Sequence, residues 1–315
     1  MPNPVVSILT PTYNRREFLP GLIQMIRSQT YDLKKCEWVV LDDSPESNED
    51  LFEDIAKLTT VRYCHHGGEK LVLGAKRNML IDLARGEYMV WVDDDDFQMP
   101  GRISHSITML DKFRQDVGGS SHMYLYFPDD ETIWKYEGLH GPGHFTNGTL
   151  VCKRSYLLDR RYDGTAGQAE EATLSRNYDR AIVQLDPLKT ILVRCHSGNT
   201  VDKRFTRLFN ENMKPTCLKL RNFIKDPKLR DEFRRNSAYK PNEPVRVPQS
   251  VLQRMYEEQL KKLNPQSGKV LACSGEVFPP ERQCEGSNGL LSDAHRAPSS
   301  PPDSMSVESS HGGSA

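Results

Sequence analysis

Along the first 100 residues, the spacing of apolar positions switches between two patterns. Short apolar runs without polar alternation, typical of buried strands, are separated by stretches whose apolar residues recur at helical spacing. The predicted strands are residues 5–10, 37–41, 61–64 and 88–92, and the predicted helices are residues 17–29, 48–58 and 73–84. Because the connections are short, this β-α-β-α-β-α-β order predicts a parallel, doubly wound sheet. Gly86 follows the third helix and is expected to end it.

The pattern becomes mixed beyond residue 100. It predicts a helix at 100–113 and strands at 123–127, 132–136, 150–152 and 191–195. Residues 205–233 are rich in Lys and Arg and are expected to be largely helical, and residues 251–263 carry the one-sided apolar spacing of an amphipathic helix. From about residue 264 Ser, Pro, Gly and Glu dominate, so residues 267–315 are predicted to be disordered.

Composition limits the class of protein. The chain has 315 residues, and its formal net charge of −1 provides no basic field for nucleic acid. No apolar run is long enough to span a membrane, and the amino terminus lacks the pattern of a signal peptide. The seven cysteines lack metal-binding spacing and are expected to be free thiols in a reducing compartment. We therefore expect a soluble cytoplasmic protein, with the cytosolic face of a membrane as the alternative location.

Two of the predicted parallel strands end in carboxylates. The run Asp93-Asp94-Asp95-Asp96 follows the strand at 88–92, and the pair Asp42-Asp43 follows the strand at 37–41. Because the strands of an open parallel sheet present their carboxyl ends to one crevice, both groups are expected there. Four adjacent acids repel one another beside an apolar wall, so a divalent cation, hydrogen-bond donors or water must neutralise them. The alternative is a solvated turn in which Asp96 caps the helix that follows.

Two common phosphate-binding loops are absent from the sequence. No Gly-x-Gly-x-x-Gly sequence follows the first strand, which disfavours a dinucleotide site of the usual kind. No Gly-x-x-x-x-Gly-Lys-Ser/Thr sequence occurs either, which excludes a P-loop NTPase. A phosphatase with an Asp-x-Asp motif would place its acids after the first strand, whereas here they follow the fourth.

Five short motifs occur in order over roughly the first third of the chain. They are Thr10-Pro11-Thr12-Tyr13-Asn14-Arg15, Leu41-Asp42-Asp43-Ser44-Pro45, Gly74-Ala75-Lys76-Arg77-Asn78, Ala84-Arg85-Gly86-Glu87-Tyr88 and Val92-Asp93-Asp94-Asp95-Asp96. In this order and spacing they resemble the nucleotide-binding half of a family 2 glycosyltransferase with the GT-A fold. The second motif departs from the family pattern, since it lacks the glycine that follows the two acids there.

The resemblance implies a domain organisation and a fold. It implies a GT-A domain at 1–204, with a nucleotide-binding half at 1–99 and an acceptor half at 100–204. A helical carboxy-terminal extension would occupy 205–266, before the predicted disordered tail at 267–315. The fold class is α/β, a Rossmann-like and mostly parallel sheet flanked by helices.

The resemblance also assigns the nucleotide site by position. The turn at Thr10 and Pro11 and the carboxylate of Asp42 would hold the base, and Asp93 would face the ribose. Arg77 stands at a helix start and would contact a phosphate or an acidic neighbour. The complete set of implied nucleotide-binding residues is Thr10, Pro11, Tyr13, Arg15, Asp42, Arg77, Asp93 and Asp94.

A metal site is implied at the Asp-x-Asp motif. Asp95 would be the metal-binding acid, holding Mn²⁺ or Mg²⁺, which are hard cations that suit oxygen ligands. The sequence His196-Ser197-Gly198-Asn199-Thr200 matches a family motif whose histidine reaches the metal or the diphosphate. His196 is therefore a second candidate ligand, although a lone histidine after a strand is also a common structural residue.

The catalytic base is expected at Glu170-Glu171. The family carries Glu-Asp followed by a helix at this point, so the acid type is kept here with a longer side chain. An inverting transfer needs one carboxylate to take the proton of the acceptor hydroxyl. Glu171 holds the position of the family's base, and Glu170 is the alternative. Two acids in the first turn of a helix would be favourable without any catalytic role.

The implied function is transfer of a sugar from a nucleotide sugar, expected to be a UDP-sugar, to a hydroxyl acceptor on a glycan, lipid or protein. The enzyme would be inverting and metal-dependent, with no nucleic acid partner and no transmembrane segment. Two alternatives are a nucleotidyltransferase of similar sheet architecture and a non-catalytic domain that binds nucleotide or carbohydrate. The first usually needs a Gly-rich loop with Arg and Lys after the first strand, and the second would have lost the base or the metal acid.

Overall fold

A computed structural model describes residues 4–138, 143–167, 170–235, 239, 243–249 and 251–253. The strands are β1 (Val6–Thr12), β2 (Cys36–Asp42), β3 (Thr60–His65), β4 (Tyr88–Trp91), β5 (Phe97–Gln98), β6 (Val117–Gly119), β7 (His122–Phe127), β8 (Thr132–Glu137), β9 (Val151–Lys153), β10 (Val183–Gln184), β11 (Ile191–Arg194) and β12 (Met213–Pro215). The α-helices are α1 (Leu19–Arg27), α2 (Leu73–Leu83), α3 (Arg102–Phe113), α4 (Glu171–Leu174), α5 (Lys203–Phe209), α6 (Leu220–Phe223) and α7 (Pro227–Arg235).

The larger sheet contains the four strands predicted from the first 100 residues. Its order is β10-β6-β9-β4-β1-β2-β3, and β1 pairs in parallel with both β2 and β4. Strand β9 runs antiparallel to β4 and β6, so the sheet is mostly parallel but not entirely so. The predicted α/β fold with a mostly parallel sheet and flanking helices is confirmed.

The burial of strand β4 on both of its faces explains why every residue of the strand is apolar. Val90 packs in the cluster that includes residues of α1 and α3, on one face of the sheet. Met89 and Trp91 pack on the other face, in the cluster that includes residues of α2. A strand buried on both faces cannot alternate apolar and polar residues, and its polar residues are therefore confined to the loop beyond its end.

A second sheet lies in the middle of the chain, in the order β12-β8-β7-β11-β5. Strands β7 and β8, which correspond to the strands predicted at 123–127 and 132–136, form a hairpin, and β11 pairs in parallel with β7. Strand β12 comes from the segment expected to be largely helical, and it pairs antiparallel with β8. This segment is a strand because β8 has a free edge. A short extended segment pairs with the backbone groups of that edge, whereas a helix would leave them unpaired.

The predicted helix at 48–58 is replaced by two 3₁₀ turns, Glu49–Phe52 and Ile55–Lys57. Only Phe52 and Ile55 in these turns are buried, and they are three positions apart. Residues at this separation line up along a 3₁₀ helix, which suits a segment with so few core contacts.

The structure describes only part of the carboxy-terminal segment for which predictions were made. The contacts divide the chain into residues 1–259 and 260–315, and all described residues belong to the first unit. The predicted helix at 251–263 is described only at 251–253, and the predicted disordered tail lies outside the described residues. Among the described residues no helix has both the length and the apolarity needed to cross a membrane.

Gly86 is required for a reason different from the one expected. Its φ is not in the left-handed region, so helix termination does not demand a glycine here. Gly86 instead lies directly against β1, where its N–H donates to the Oγ of Ser7 at 2.8 Å. A Cβ at this position would be 2.6 Å from the backbone nitrogen of Ser7 and 2.7 Å from the carbonyl carbon of Val6.

Gly86→Ala is therefore expected to destabilise the fold by about 1–3 kcal/mol, the usual cost of overpacking a site whose neighbours are backbone atoms. Urea-induced unfolding measures the change. Gly164→Ala is the matched control, because a Cβ there meets no atom within 4 Å. Equal unfolding midpoints for the two variants would contradict this account of Gly86.

Candidate active site

A cavity of about 780 Å³ opens at the carboxyl ends of the parallel strands. The loop after β1 contributes Tyr13 and Arg15, the loop after β4 contributes Asp93–Asp96, and α4 begins at its wall with Glu170 and Glu171. The structure thus brings together three segments that are far apart in the chain. The position agrees with the general rule for ligand sites in open α/β sheets.

The four acids differ in their surroundings. Burial and the charge of Asp95 raise the pKa of Asp94 above its ordinary value, and burial with the charges of Asp95 and Asp93 does the same for Asp96. Burial also acts to raise the pKa of Asp95, but the His196 imidazole and the Arg15 guanidinium outweigh it and lower that pKa. With all four acids ionised, the run would hold more negative charge than its buried neighbours neutralise.

Asp96 does not cap the helix that follows, which removes the solvated-turn alternative. Its Oδ1 accepts from the backbone N–H of Arg194 at 3.0 Å, and its residue is only 7% exposed. The N-cap of α3 is Gly101, which has no side chain to accept a hydrogen bond. Asp96 instead ties the loop after β4 to the end of β11.

His196 lies against Asp95. The backbone N–H of Gly198 donates to Nδ1 at 3.2 Å, an arrangement that favours the proton on Nε2, which faces Asp95 Oδ2 at 3.0 Å. The Nδ2 of Asn199 lies 3.5 Å from the same carboxylate oxygen. In this arrangement His196 orients the acid, and ligation of a metal by His196 stays a prediction.

Arg77 joins two acids from opposite sides of the cavity. Its Nη2 donates to Asp93 Oδ1 at 3.0 Å and its Nε donates to Glu170 Oε1 at 2.7 Å. The arginine side chain is 4% exposed and that of Glu170 is 5% exposed. Of the two predicted contacts, a phosphate or an acidic neighbour, the structure shows the second. Removing Arg77 would leave buried charge unpaired, which is strongly destabilising.

The two adjacent glutamates have different environments. Glu170 is the N-cap of α4 and is engaged by Arg77, whereas Glu171 lines the cavity without a side-chain ion pair among the described residues. Burial raises the pKa of Glu171 to about 7, and the charge of Glu170 acts in the same direction while Arg77 opposes it. Glu171 is thus the glutamate whose proton affinity suits a general base near neutral pH.

Two buried arginines lie behind the acidic run. The guanidinium of Arg194 stacks 4.9 Å from the ring centroid of Phe18 and 4.0 Å from that of Phe233. Arg102 donates from Nη2 to the carbonyl oxygen of Gly148 at 3.1 Å. Burial lowers the pKa of each guanidinium to about 10, although the nearby aspartates act against this. Sequence patterns did not indicate either residue, because nothing local marks a buried arginine.

Two of the predicted nucleotide-binding residues do not line the cavity. Thr10 is wholly buried, and its Oγ1 accepts from Trp38 Nε1 at 3.0 Å. Asp42 accepts from the backbone N–H of Ser44 at 2.8 Å and from the Tyr63 hydroxyl at 2.5 Å. The other six, Pro11, Tyr13, Arg15, Arg77, Asp93 and Asp94, line it, and contact of any of the eight with a nucleotide stays a prediction.

Of the acidic pair Asp42-Asp43, Asp43 is linked to the cavity through Lys76. The ammonium group of Lys76 pairs with Asp43 and donates to the carbonyl oxygen of Thr12 at 3.1 Å, and its side chain lines the cavity. Sequence reasoning missed this residue. The available signal was its place in the motif at the start of α2, directly before Arg77.

The donor groups fit a hard divalent cation that a ligand helps to coordinate. The side chain of Asp95 is 16% exposed and faces the cavity, and the surplus charge of the acidic run favours a cation there. Among the described residues, however, no three His, Cys, Asp or Glu side chains form a cluster that could enclose an ion. Mg²⁺ commonly takes one or two carboxylates and completes its coordination with water and substrate phosphates, which matches this arrangement.

Comparison with known sequences places this geometry in a family. Residues 7–157 match the sequence profile described as "Glycosyl transferase family 2". A glycosyl transferase of Escherichia coli (strain K12), provisionally assigned by name to colanic acid biosynthesis, is 35% identical over 40% of this chain and 43% of its own length. A Campylobacter jejuni protein named GalNAc(5)-diNAcBac-PP-undecaprenol beta-1,3-glucosyltransferase is 28% identical over 38% of this chain. The chain spans 37% of that relative's length.

Solved structures share the fold. The structure of TarS from S. aureus superimposes with a TM-score of 0.51 and 17% identity, over 60% of this chain and 36% of that one. The mannosyltransferase PcManGT from Pyrobaculum calidifontis, in complex with GDP-Man and Mn²⁺, also has a TM-score of 0.51, with 16% identity over 65% of this chain and 61% of that one. At these identities the likeness concerns the fold alone. The profile match assigns residues 7–157 to glycosyl transferase family 2, and the likeness to solved structures shows that the chain has the GT-A fold.

Proposed function

We propose that this protein is an inverting glycosyltransferase that moves a sugar from a nucleotide sugar to a hydroxyl acceptor. The observation that carries the proposal is the pairing of Glu171 with the Asp93–Asp96 run in one cavity. A carboxylate whose pKa is raised to about 7 is suited to accept a proton, and an acidic run in which Asp95 stays ionised is suited to hold a cation against a diphosphate. Family membership supplies the reaction class.

The donor would lie with its diphosphate between the acids and a set of cations. Arg15, Lys70 and Lys76 line the same cavity, and the ammonium group of Lys70 lies 4.8 Å from the ring centroid of Tyr13. Tyr13 thus presents an aromatic face at the end of β1, where a base can stack. We propose a UDP-sugar as the first donor to test, on the resemblance of the motifs, while the GDP-Man complex of PcManGT supports a nucleotide sugar in general.

The reaction would be a single displacement at the anomeric carbon. The acceptor oxygen attacks that carbon as the bond to the diphosphate oxygen breaks, and the electron pair of that bond leaves with the nucleoside diphosphate. Glu171 takes the acceptor proton as the new bond forms. Attack opposite the leaving group inverts the configuration. Arg77 fixes Glu170 and Asp93 around this point, so the residues that flank the base are already in place before substrate binds.

Asp95 would hold the divalent cation, and His196 with Asn199 would keep its carboxylate in position. When bound, Mn²⁺ or Mg²⁺ supplies positive charge that stabilises the departing diphosphate. Arg15 lies 3.7 Å from Asp95 and donates to the carbonyl oxygen of Gly198 at 2.7 Å, which places a second positive charge beside the same site. The acceptor is a hydroxyl of a glycan, lipid or protein, and the relatives named for polysaccharide or lipid-linked glycan synthesis favour a glycan.

Glu171→Gln is expected to lower turnover by about 10²- to 10⁴-fold, since the amide keeps the shape of the side chain but cannot accept a proton. Donor affinity should change little. The measurement is steady-state kinetics at saturating donor with the donor and acceptor pair found by screening. Glu170→Gln is the matched comparison. It should weaken the ion pair to Arg77 and lower stability more than it lowers turnover.

The pH profile separates a base from a structural acid. Glu171 must be ionised to act, and its pKa is raised to about 7, so turnover of the parent enzyme should rise with pH through about pH 7 and then level off. The groups whose charges act on Glu171 are Glu170, Arg77 and Asp93. The rising limb should disappear in the residual activity of Glu171→Gln. A variant with parental turnover and an unchanged profile would show that Glu171 is not the base.

Asp95→Asn is expected to abolish Mn²⁺ binding in the presence of nucleoside diphosphate, because the amide removes the charge that holds a hard cation. Electron paramagnetic resonance of free Mn²⁺ measures binding without any need for turnover. Asp82→Asn is the control, since Asp82 is an exposed residue of α2 whose side chain pairs with Arg161 at 3.2 Å outside the cavity. Full activity of the parent in EDTA, or unchanged Mn²⁺ binding by Asp95→Asn, would exclude this metal role.

A further inference from the structure

A second cavity, of about 390 Å³, lies where the second sheet meets α6 and α7. Its lining residues are Tyr126 and Glu131 from β7 and the following turn, and Lys219, Leu220, Arg221, Arg230 and Arg234 from the later segment. None of these residues lines the cavity that holds Asp93–Asp96. Its volume is within the range of small-ligand sites.

The lining is strongly basic. Four lining side chains are cationic and one is acidic, and the acid, Glu131, already pairs with Arg234 at 2.9 Å. Arg230 donates to the carbonyl oxygen of Ile224 at 3.1 Å. Lys219 and Arg221 are exposed, and within the part of the chain that the structure describes neither has a recorded ion pair. Arg234 also pairs with Asp231 at 2.9 Å, so the lining cations without an ion pair among the described residues are Lys219, Arg221 and Arg230. Three such cations around one cavity favour an anion there.

A buried hydroxyl group lies in the same wall. Tyr126 is 0% exposed, and its hydroxyl group makes no hydrogen bond of good geometry. The Arg234 guanidinium beside it can only donate to the hydroxyl oxygen, so the hydroxyl proton has no acceptor. An unsatisfied buried hydroxyl is uncommon and calls for an explanation. An oxyanion drawn in by the arginines would offer an acceptor on this side.

The cavity is built on a packed support. Tyr126, Leu220, Phe223 and Phe233 belong to one hydrophobic cluster that joins β7 to α6 and α7. The basic side chains thus project from elements whose positions are set by the core. Arginines positioned in this way recognise phosphate well, because each guanidinium can donate two parallel hydrogen bonds.

We propose that this cavity binds a phosphoryl group, at a site separate from the one that holds the donor. Two sources share this chemistry, a soluble phosphate ester and the headgroup of an anionic lipid. One feature near this cavity is relevant to the lipid headgroup. Leu208 and Phe209 of α5 are 63% and 72% exposed, and the adjacent Arg207 pairs with Asp129 and Asp130, in the same turn as Glu131. Exposed apolar tips beside a basic site are typical of contact with a lipid surface.

The test compares two double charge reversals in the full chain. Lys219→Glu/Arg221→Glu changes the cavity. Lys225→Glu/Lys228→Glu makes the same change of charge at exposed residues of the same segment that do not line it. Calorimetric titration with inorganic pyrophosphate measures binding of a soluble phosphate compound. Co-sedimentation with vesicles of phosphatidylcholine, with or without phosphatidylglycerol, measures binding to an anionic lipid surface. The cavity variant should bind one or both anionic probes about tenfold more weakly than the control variant, the usual effect of losing a charge-assisted hydrogen bond.

The outcomes separate the sources and can overturn the proposal. A loss confined to pyrophosphate identifies a soluble phosphate ester, and a loss that includes phosphatidylglycerol vesicles identifies a lipid headgroup. If both variants bind the probes as tightly as the parent does, the binding lies outside this cavity and the proposal is overturned. Equal losses in the two variants, or no binding of either probe by the parent, would overturn the proposal. Melting curves check folding, and Arg221→Ser replaces the double reversal if that variant melts early.

Discussion

Repulsion among the four carboxylates at the end of β4 is the constraint on which the rest of the structure depends. The strand is buried on both faces, so its acids emerge beside an apolar core where charge is costly. The protein surrounds them with cations from several elements. Arg77 comes from α2, Arg102 from α3 and Arg194 from β11, and each is almost wholly buried. The compensation is incomplete, as the raised pKa values of Asp94 and Asp96 show.

Incomplete compensation has a functional consequence. A site whose acids were fully paired would gain little from a cation, whereas a site with surplus charge binds one readily once other oxygen ligands arrive. Asp95 is the acid best prepared for this. Its pKa is lowered by His196 and Arg15, so it stays ionised, and its carboxylate is oriented by the imidazole of His196. The cation and the donor would then bind as mutually dependent ligands.

The second sheet helps to position the acidic run at the end of β4. Strand β11 supplies the backbone N–H that holds Asp96 and leads directly into the loop that carries His196. Its Arg194 stacks between Phe18 of the loop before α1 and Phe233 of α7, so the carboxy-terminal helices are coupled to the acidic run through one guanidinium. The segment after residue 204 is for this reason part of the same packed structure, and it also builds the basic cavity.

The sequence by itself determined the four parallel strands β1–β4, the helices α1 and α2, the place of the acidic run and the resemblance to the family. It could do so because the apolar periodicity of β4 and of α2 is a local property, and because the motifs are short and contiguous. The 3₁₀ turns in place of a helix at 48–58 and the pairing of β12 with β8 depended on neighbours that are distant in the chain.

The different surroundings of Glu170 and Glu171 were decided by tertiary structure alone. In the sequence both residues are acids at a helix start, and only the position of Glu171 in the family motif sets them apart. Arg77 lies 93 positions from Glu170, and only folding brings its guanidinium within 2.7 Å of that carboxylate. The same applies to Lys76 and Asp43, to His196 and Asp95, and to the buried arginines. Charge pairing acts through space over a few ångströms, and no pattern along the chain records which distant charge will be near.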